Sequence, residues 1–200
     1  MAVSDILVSP AKVFYSPLGT ALPDETTVAV GAAWPVGWID LGYTLAPVSL
    51  SFSADTFELE VEQVTNPLKI IRTKETVEME TTLAELTAAN LKLAMGSSST
   101  ITTTAAGANQ HGFDDLKMGG EVLIPEFQWG FEGYTLDTSN RQLAKRIFIY
   151  RAVATLNGKL DFSKKAAAGI ALKIKALADT TKTQGQQLLN VQFVTTWKTS

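Results

Sequence analysis

The chain contains no cysteine in 200 residues. That absence excludes a disulfide framework, a thiolate-ligated zinc site and thiol catalysis together. Histidine is almost missing as well. His111 stands alone in a stretch rich in Ser, Thr, Ala and Gly, so no second imidazole can join it at a metal, and a solvated role is expected. Charge is scarce: 18% of residues are charged against 46% hydrophobic. A chain of this kind is globular, yet its surface is poorer in charge than that of a typical free monomer, which points to surfaces covered by partners. There is no basic excess either. Seventeen Lys and Arg against twenty Asp and Glu leave a net charge of −3 and a pI near 5.2, which argues against tight DNA binding. No stretch approaches the roughly 20 apolar residues of a membrane span. Met1 to Tyr15 carries Asp5 and no apolar run of signal-peptide length, so the expectation is a chain made and kept in a cytoplasm, with no membrane binding of its own.

The usual signatures of chemistry are also missing. Met118-Gly119-Gly120 precedes a strand pattern rather than opening a helix, so it is not a phosphate-cradling loop, and there is no nucleophile elbow. Asp114-Asp115 and the alternate acids Glu58, Glu60 and Glu62 are read as solvated carboxylates, not as an acid/base pair or a cation site. Trp34, Trp38, Trp129 and Trp197 are scattered, which favours core and interface packing over a stacking platform for sugars or single-stranded nucleic acid. The expectation is no enzyme, no catalytic residue, no metal and no cofactor.

What is present is a long alternating segment. Phe57, Leu59 and Val61 alternate with Glu58, Glu60 and Glu62, the period of a strand with one apolar and one acidic face. Asn66-Pro67 reads as a turn. From Lys69 the alternation resumes, with Ile71, Val77 and Met79 on one face and Arg72, Lys74, Glu78 and Glu80 on the other. The pair predicts an antiparallel hairpin with one charged face. Lys69 to Thr82 exceeds the usual strand length of about 5–6 residues, so its hydrogen bonds call for partners beyond one small domain. Thr82-Leu83-Ala84-Glu85 spells a capping box, predicting a helix of about three turns over 83–95 that ends at Gly96.

The remainder fits a single domain. Pro10, Pro17 and Pro23 make residues 1–25 an extended N-terminal arm with short β pieces, leaving 26–200 as the domain. Strands are predicted over Thr26–Val30, Trp38–Leu45 and Val48–Phe52, and Ser97–Gly112 reads as a mobile loop. Gly119–Trp129 reads as a strand broken at Pro125, after which Gly130, Gly133 and Asp137–Asn140 form a connection. Arg146–Leu156 has apolar residues at both parities and is expected to be covered on both faces. Asp161–Lys165 reads as a helical turn, Gly169–Leu177 as a half-exposed strand and Asn190–Trp197 as a closing strand.

The order of these pieces is similar to a known family. Thr20-Ala21-Leu22-Pro23, then Trp38-Ile39-Asp40-Leu41-Gly42-Tyr43-Thr44, the acidic hairpin, the run Leu83 to Gly96 and the run Ile170 to Asp179 together resemble the major tail tube proteins (major tail proteins) of long, non-contractile phage tails. The resemblance implies an antiparallel β-sandwich or barrel with one flanking helix, whose long hairpin joins a β-barrel between subunits. It further implies hexameric rings that stack into a tube in the virion after assembly in the host cytoplasm. The tube would enclose the tape-measure protein, pass double-stranded DNA during ejection, and meet tail terminator and distal tail proteins at its ends. On that basis Glu58, Glu60, Glu62, Arg72, Lys74, Glu78 and Glu80 line the channel, giving −3 per subunit and about −18 per ring. The alternatives are a monomeric, lectin-like β-sandwich and the tube component of a contractile secretion system.

Overall fold

Alternation of apolar and polar residues dominates the chain, and the computed structural model, which describes residues 10–26, 28–160 and 168–197, is accordingly mainly β. Every strand pairing among the described residues is antiparallel. In chain order the strands are β1 (Lys12–Ser16), β2 (Ile39–Asp40), β3 (Thr44–Val61), β4 (Val64–Leu83), β5 (Ile101–Thr104), β6 (Phe113–Leu116), β7 (Glu126–Leu136), β8 (Gln142–Leu156), β9 (Ile170–Ala176) and β10 (Leu189–Phe193). Helix α1 (Ala88–Ala94) falls between β4 and β5. The large sheet runs β2-β1-β7-β8-β9-β4-β3, while β5 and β6 form a two-stranded sheet of their own.

Strand β8 organises the sandwich. One edge carries β7; the other carries β10 along Lys145–Ile149 and β9 along Ala152–Leu156, so the sheet divides there and folds over. The folded face encloses Val13, Met79, Trp129, Ile149, Leu172 and Ile174, with Leu93 and Ala94 of α1 closing one side. On the opposite face of β1, β7 and β8, residues 17–26 and 28–38 lie as a strap, packing Val28 and Trp34 on Phe14 and Phe148. Burial of β8 on both faces agrees with its sequence pattern. So does β9, which buries Ile170, Leu172 and Ile174 and leaves Lys175 exposed.

Several boundaries differ from expectation, each for a physical reason. The hairpin turns at Glu62-Gln63, not at Asn66-Pro67; Pro67 lies within β4 where the ladder between Leu59/Lys69 and Val61/Val64 is irregular, a place that does not need its missing N–H. The helix begins at Ala88 rather than 83. Thr82 and Leu83 are held in β4 by pairing with Ala171 and Ile170, and the cap is Thr87, whose hydroxyl accepts the Asn90 N–H at 3.1 Å. The end at Gly96 is as expected. Gly96 (φ 61°) donates to the Leu93 carbonyl and Ser97 to the Lys92 carbonyl, the paired bonds that close a helix through a left-handed residue.

Ser97–Gly112 contains strand β5, paired with β6, and is anchored where Glu121 accepts bonds from the Ser97 hydroxyl, the Ser98 N–H and the Ser99 hydroxyl. Of the strand expected over Thr26–Val30, the described residues are not strand: the Thr26 and Val28 N–H groups bond back to Asp24. Trp38–Leu45 is broken at Gly42 (φ 81°) into β2 and the start of β3. Residues 119–125 are not strand, and Gly130 and Gly133 lie inside β7 rather than in a connection. The Asp137–Asn140 turn stands where expected. The helical turn read at Asp161–Lys165 falls outside the described residues.

Candidate assembly surface

The β3–β4 hairpin is the feature that the rest of the fold does not explain. Its strands are 18 and 20 residues long, but β9 pairs with β4 only from Glu78 to Leu83. Among the described residues nothing pairs with the outer edge of β3, or with the edge of β4 away from β3 before Glu78. From Val77 to Val64 the ribbon extends roughly 45 Å at about 3.4 Å per residue. A two-stranded ribbon alone is marginal in water, and two free edges of that length are templates for further strands. Its side chains are apolar enough for such a contact: Phe52, Phe57, Leu68 and Ile70 are each more than half exposed.

The register decides which side chains share a face. Asp55 stands opposite Lys74 and Thr56 opposite Arg72, so Thr73 is an extra residue in β4. This bulge exchanges the parity of β4 between its base and its tip. One face holds Met79 and Val77 at the base, continuous with the core, and then Glu75, Arg72 and Ile70 with their partners Phe52, Ala54, Thr56 and Glu58. Two contacts confirm it: Arg72 Nη1 bonds Glu75 Oε1 at 2.8 Å, and its guanidinium lies 5.9 Å from the Phe52 ring centre. The other face, wet at its base, holds Glu80, Glu78, Thr76 and Lys74 opposite Ser49, Ser51, Ser53 and Asp55, followed by Ile71 and Lys69 opposite Phe57 and Leu59.

The seven charged positions singled out from the sequence are therefore not one set. Lys74, Glu78 and Glu80 share the wet face. Glu58 and Arg72 are on the opposite face, strand alternation places Glu60 with Glu58, and Glu62 is in the turn. A period-of-two reading cannot see the extra residue at Thr73, and this is why it placed Arg72 beside Lys74.

Sequence reasoning also missed two members of the wet face. Strand β9 sets Lys173 opposite Glu80 and Lys175 opposite Glu78. Lys173 Nζ bridges Glu78 at 2.8 Å and Glu80 at 3.2 Å, and Lys175 Nζ lies 3.7 Å from Glu78. Hydrogen bonding from Lys173 holds the Glu78 carboxyl below its ordinary range, and the same bond raises the Lys173 ammonium. The signal was visible in the alternation of Lys173 and Lys175 with the buried Leu172 and Ile174; what sequence could not supply was the strand beside them.

A concavity of about 630 Å3 beside the strap is lined by Glu126 and Arg151, but these form a bidentate pair at 2.6 and 2.9 Å. Among the described residues no group of three or more His, Asp or Glu is arranged to hold a metal. Trp34 and Trp38 pack with Phe14 and Phe148 against the sheet instead of opening a cleft. Among the described residues no helix is long and apolar enough to cross a membrane.

Comparison with curated proteins gives no match. Comparison with protein families gives one that spans nearly the whole chain: the family described as "Phage tail tube protein" matches residues 4–197. With a mainly antiparallel β-sandwich and, among the described residues, one helix and a long hairpin whose edges are unpaired, this chain belongs to the phage tail tube protein family, structural components of the virion tail that assemble as many subunits into a tube.

Proposed function

We propose that this chain is the major tube subunit of a long, non-contractile tail, forming hexameric rings that stack around a channel holding the tape-measure protein and later passing double-stranded DNA. The observation that carries the reading is the pair of free hairpin edges. In a ring the β3 edge of one copy meets the β4 edge of the next. Rotation about the ring axis keeps copies in the same orientation, so the neighbour's β3 runs antiparallel to β4, as its own β3 does. Closure of the ring then removes both edges. Terminator and distal tail proteins would cap the two ends, and assembly would take place in the host cytoplasm. The role is mechanical, without catalysis.

In this arrangement the wet face of Lys74, Glu78 and Glu80 lines the channel. Glu58, Glu60 and Arg72 turn toward neighbouring subunits, and Glu62 lies at the rim of the hairpin.

Successive residues of β4 direct their N–H groups to opposite edges, so the variants Ile70→Pro and Ile71→Pro separate internal from external pairing. One deletes a donor facing β3 and the other a donor facing the free edge. The expected result, by negative-stain microscopy and sedimentation, is that the variant lacking the free-edge donor stays a folded monomer under conditions where the unaltered chain forms rings or tubes. Tubes at full yield from both variants would contradict pairing through this edge.

A further inference from the structure

Resting on the reading that the wet face bounds the channel, we infer that Lys173 and Lys175 of β9 hold the channel wall near electrical neutrality, so that a polyanion passes without being strongly repelled or held. The hairpin alone suggests an acidic wall. The register adds what the hairpin lacks. On the wet face Asp55 stands opposite Lys74, Glu78 opposite Lys175 and Glu80 opposite Lys173, so each of these carboxylates has an ammonium in the next strand, and Lys69, opposite Leu59 toward the tip, adds one further positive charge per copy. Lys173 reaches both glutamates, at 2.8 and 3.2 Å.

Spacing makes this compensation effective. Neighbouring strands are about 4.8 Å apart and same-face residues along a strand about 7 Å apart, both within the Debye length of about 8 Å at physiological ionic strength. Opposite charges at these separations cancel before their field reaches far into the channel. An unpaired acidic wall would instead gather cations, and an unpaired lysine wall would exchange counterions with phosphates and hold DNA. These part-exposed pairs contribute little to stability, because water still reaches and screens them; their consequence is the sign of the wall.

The test uses open-ended tubes assembled from the full chain in three variants: K173Q/K175Q, E78Q/E80Q, and the exchanged E78K/E80K/K173E/K175E. Retention of two fluorescent probes, a spermine conjugate and a short DNA duplex, is measured by sedimentation at low and high salt. Unaltered tubes are expected to retain neither strongly. K173Q/K175Q should retain the cationic probe and E78Q/E80Q the duplex, each by roughly threefold or more at low salt, with the gain lost at high salt. The exchanged variant should behave like the unaltered tube. Cryo-EM of the same tubes separates the two ways of failing. Glu80 on the outer surface would overturn the channel assignment and this inference with it. Glu80 on the lumen with probe retention unchanged across the variants would overturn the inference alone.

Discussion

Arg146 and Glu132 meet in an ion pair of 2.8 Å, and neither side chain is more than 1% exposed. They are directly opposed on β8 and β7. The remaining bonding capacity is used to hold the strap: Arg146 Nη1 reaches Glu25 at 2.6 Å, Nη2 donates to the Val28 carbonyl at 2.7 Å, and Glu132 Oε1 accepts the Gly31 N–H at 2.8 Å. Removing one partner leaves the other charge buried. Arg146→Ala is expected to cost about 3–5 kcal/mol in urea unfolding, and the double change Arg146→Met with Glu132→Leu to recover most of it. A loss below about 1 kcal/mol for the single change would contradict this role for the pair.

Gly130 is the second fixture of the strap. A β-carbon there would lie 2.6 Å from Cη2 of Trp34 and 3.1 Å from Cζ3 of Trp38. Trp34 cannot retreat easily, because it is stacked on Phe14 with ring centres 4.0 Å apart. Gly130→Ala should therefore destabilise by about 1–3 kcal/mol. Adding Trp34→Leu should make the alanine nearly neutral relative to Trp34→Leu alone, read as a thermal double-mutant cycle.

These two sites show what was legible in the sequence and what was not. The alternation of Ile170, Leu172 and Ile174, the two-sided burial of β8 and the helix end at Gly96 follow from local pattern, and pattern was enough. Gly130 and Gly133 looked like a connection, since glycine weakens strands; the place of Gly130 in β7 depends on Trp34, far earlier in the chain. Thr82-Leu83-Ala84-Glu85 was a sound local cap signal that lost to a distant strand, β9. On the assembly surface the hairpin itself was legible, whereas its face assignments failed at one extra residue, Thr73, which has no signature of its own.

Acid should weaken the fold through its paired carboxylates. Hydrogen bonds from Arg151 depress the Glu126 carboxyl, and the Arg141 N–H depresses that of Asp137. A group with a lowered folded-state pKa contributes stability that is present above its unfolded value and lost as pH falls through the folded one. Glu25 has the opposite sign: burial raises it, so its contribution is present below the unfolded value and lost as pH rises through the folded one. The urea midpoint should fall as pH drops below the ordinary carboxylate range, and Glu126→Gln should flatten that fall. An unaltered slope in the variant would remove Glu126 from the explanation.

The Ser97–Ser99 clasp predicts a local effect. Glu121 gathers three donors that tie the end of α1 to the segment before β7. Glu121→Ala should raise protease cleavage between residues 97 and 124 with little change in the thermal midpoint, because Glu121 is exposed and outside the core. Equal cleavage of the variant and the unaltered chain would show that the clasp does not order this region.

The central claim is that copies of this chain join through the edges of the β3–β4 hairpin, and a cryo-EM map of tubes assembled from the purified protein tests it most directly. The predicted map shows stacked sixfold rings in which β3 of each copy is hydrogen-bonded to β4 of its neighbour between Val64 and Val77, with Glu78, Glu80, Lys173 and Lys175 facing the lumen. Tubes whose subunits meet through other surfaces, leaving both hairpin edges unpaired, would contradict it.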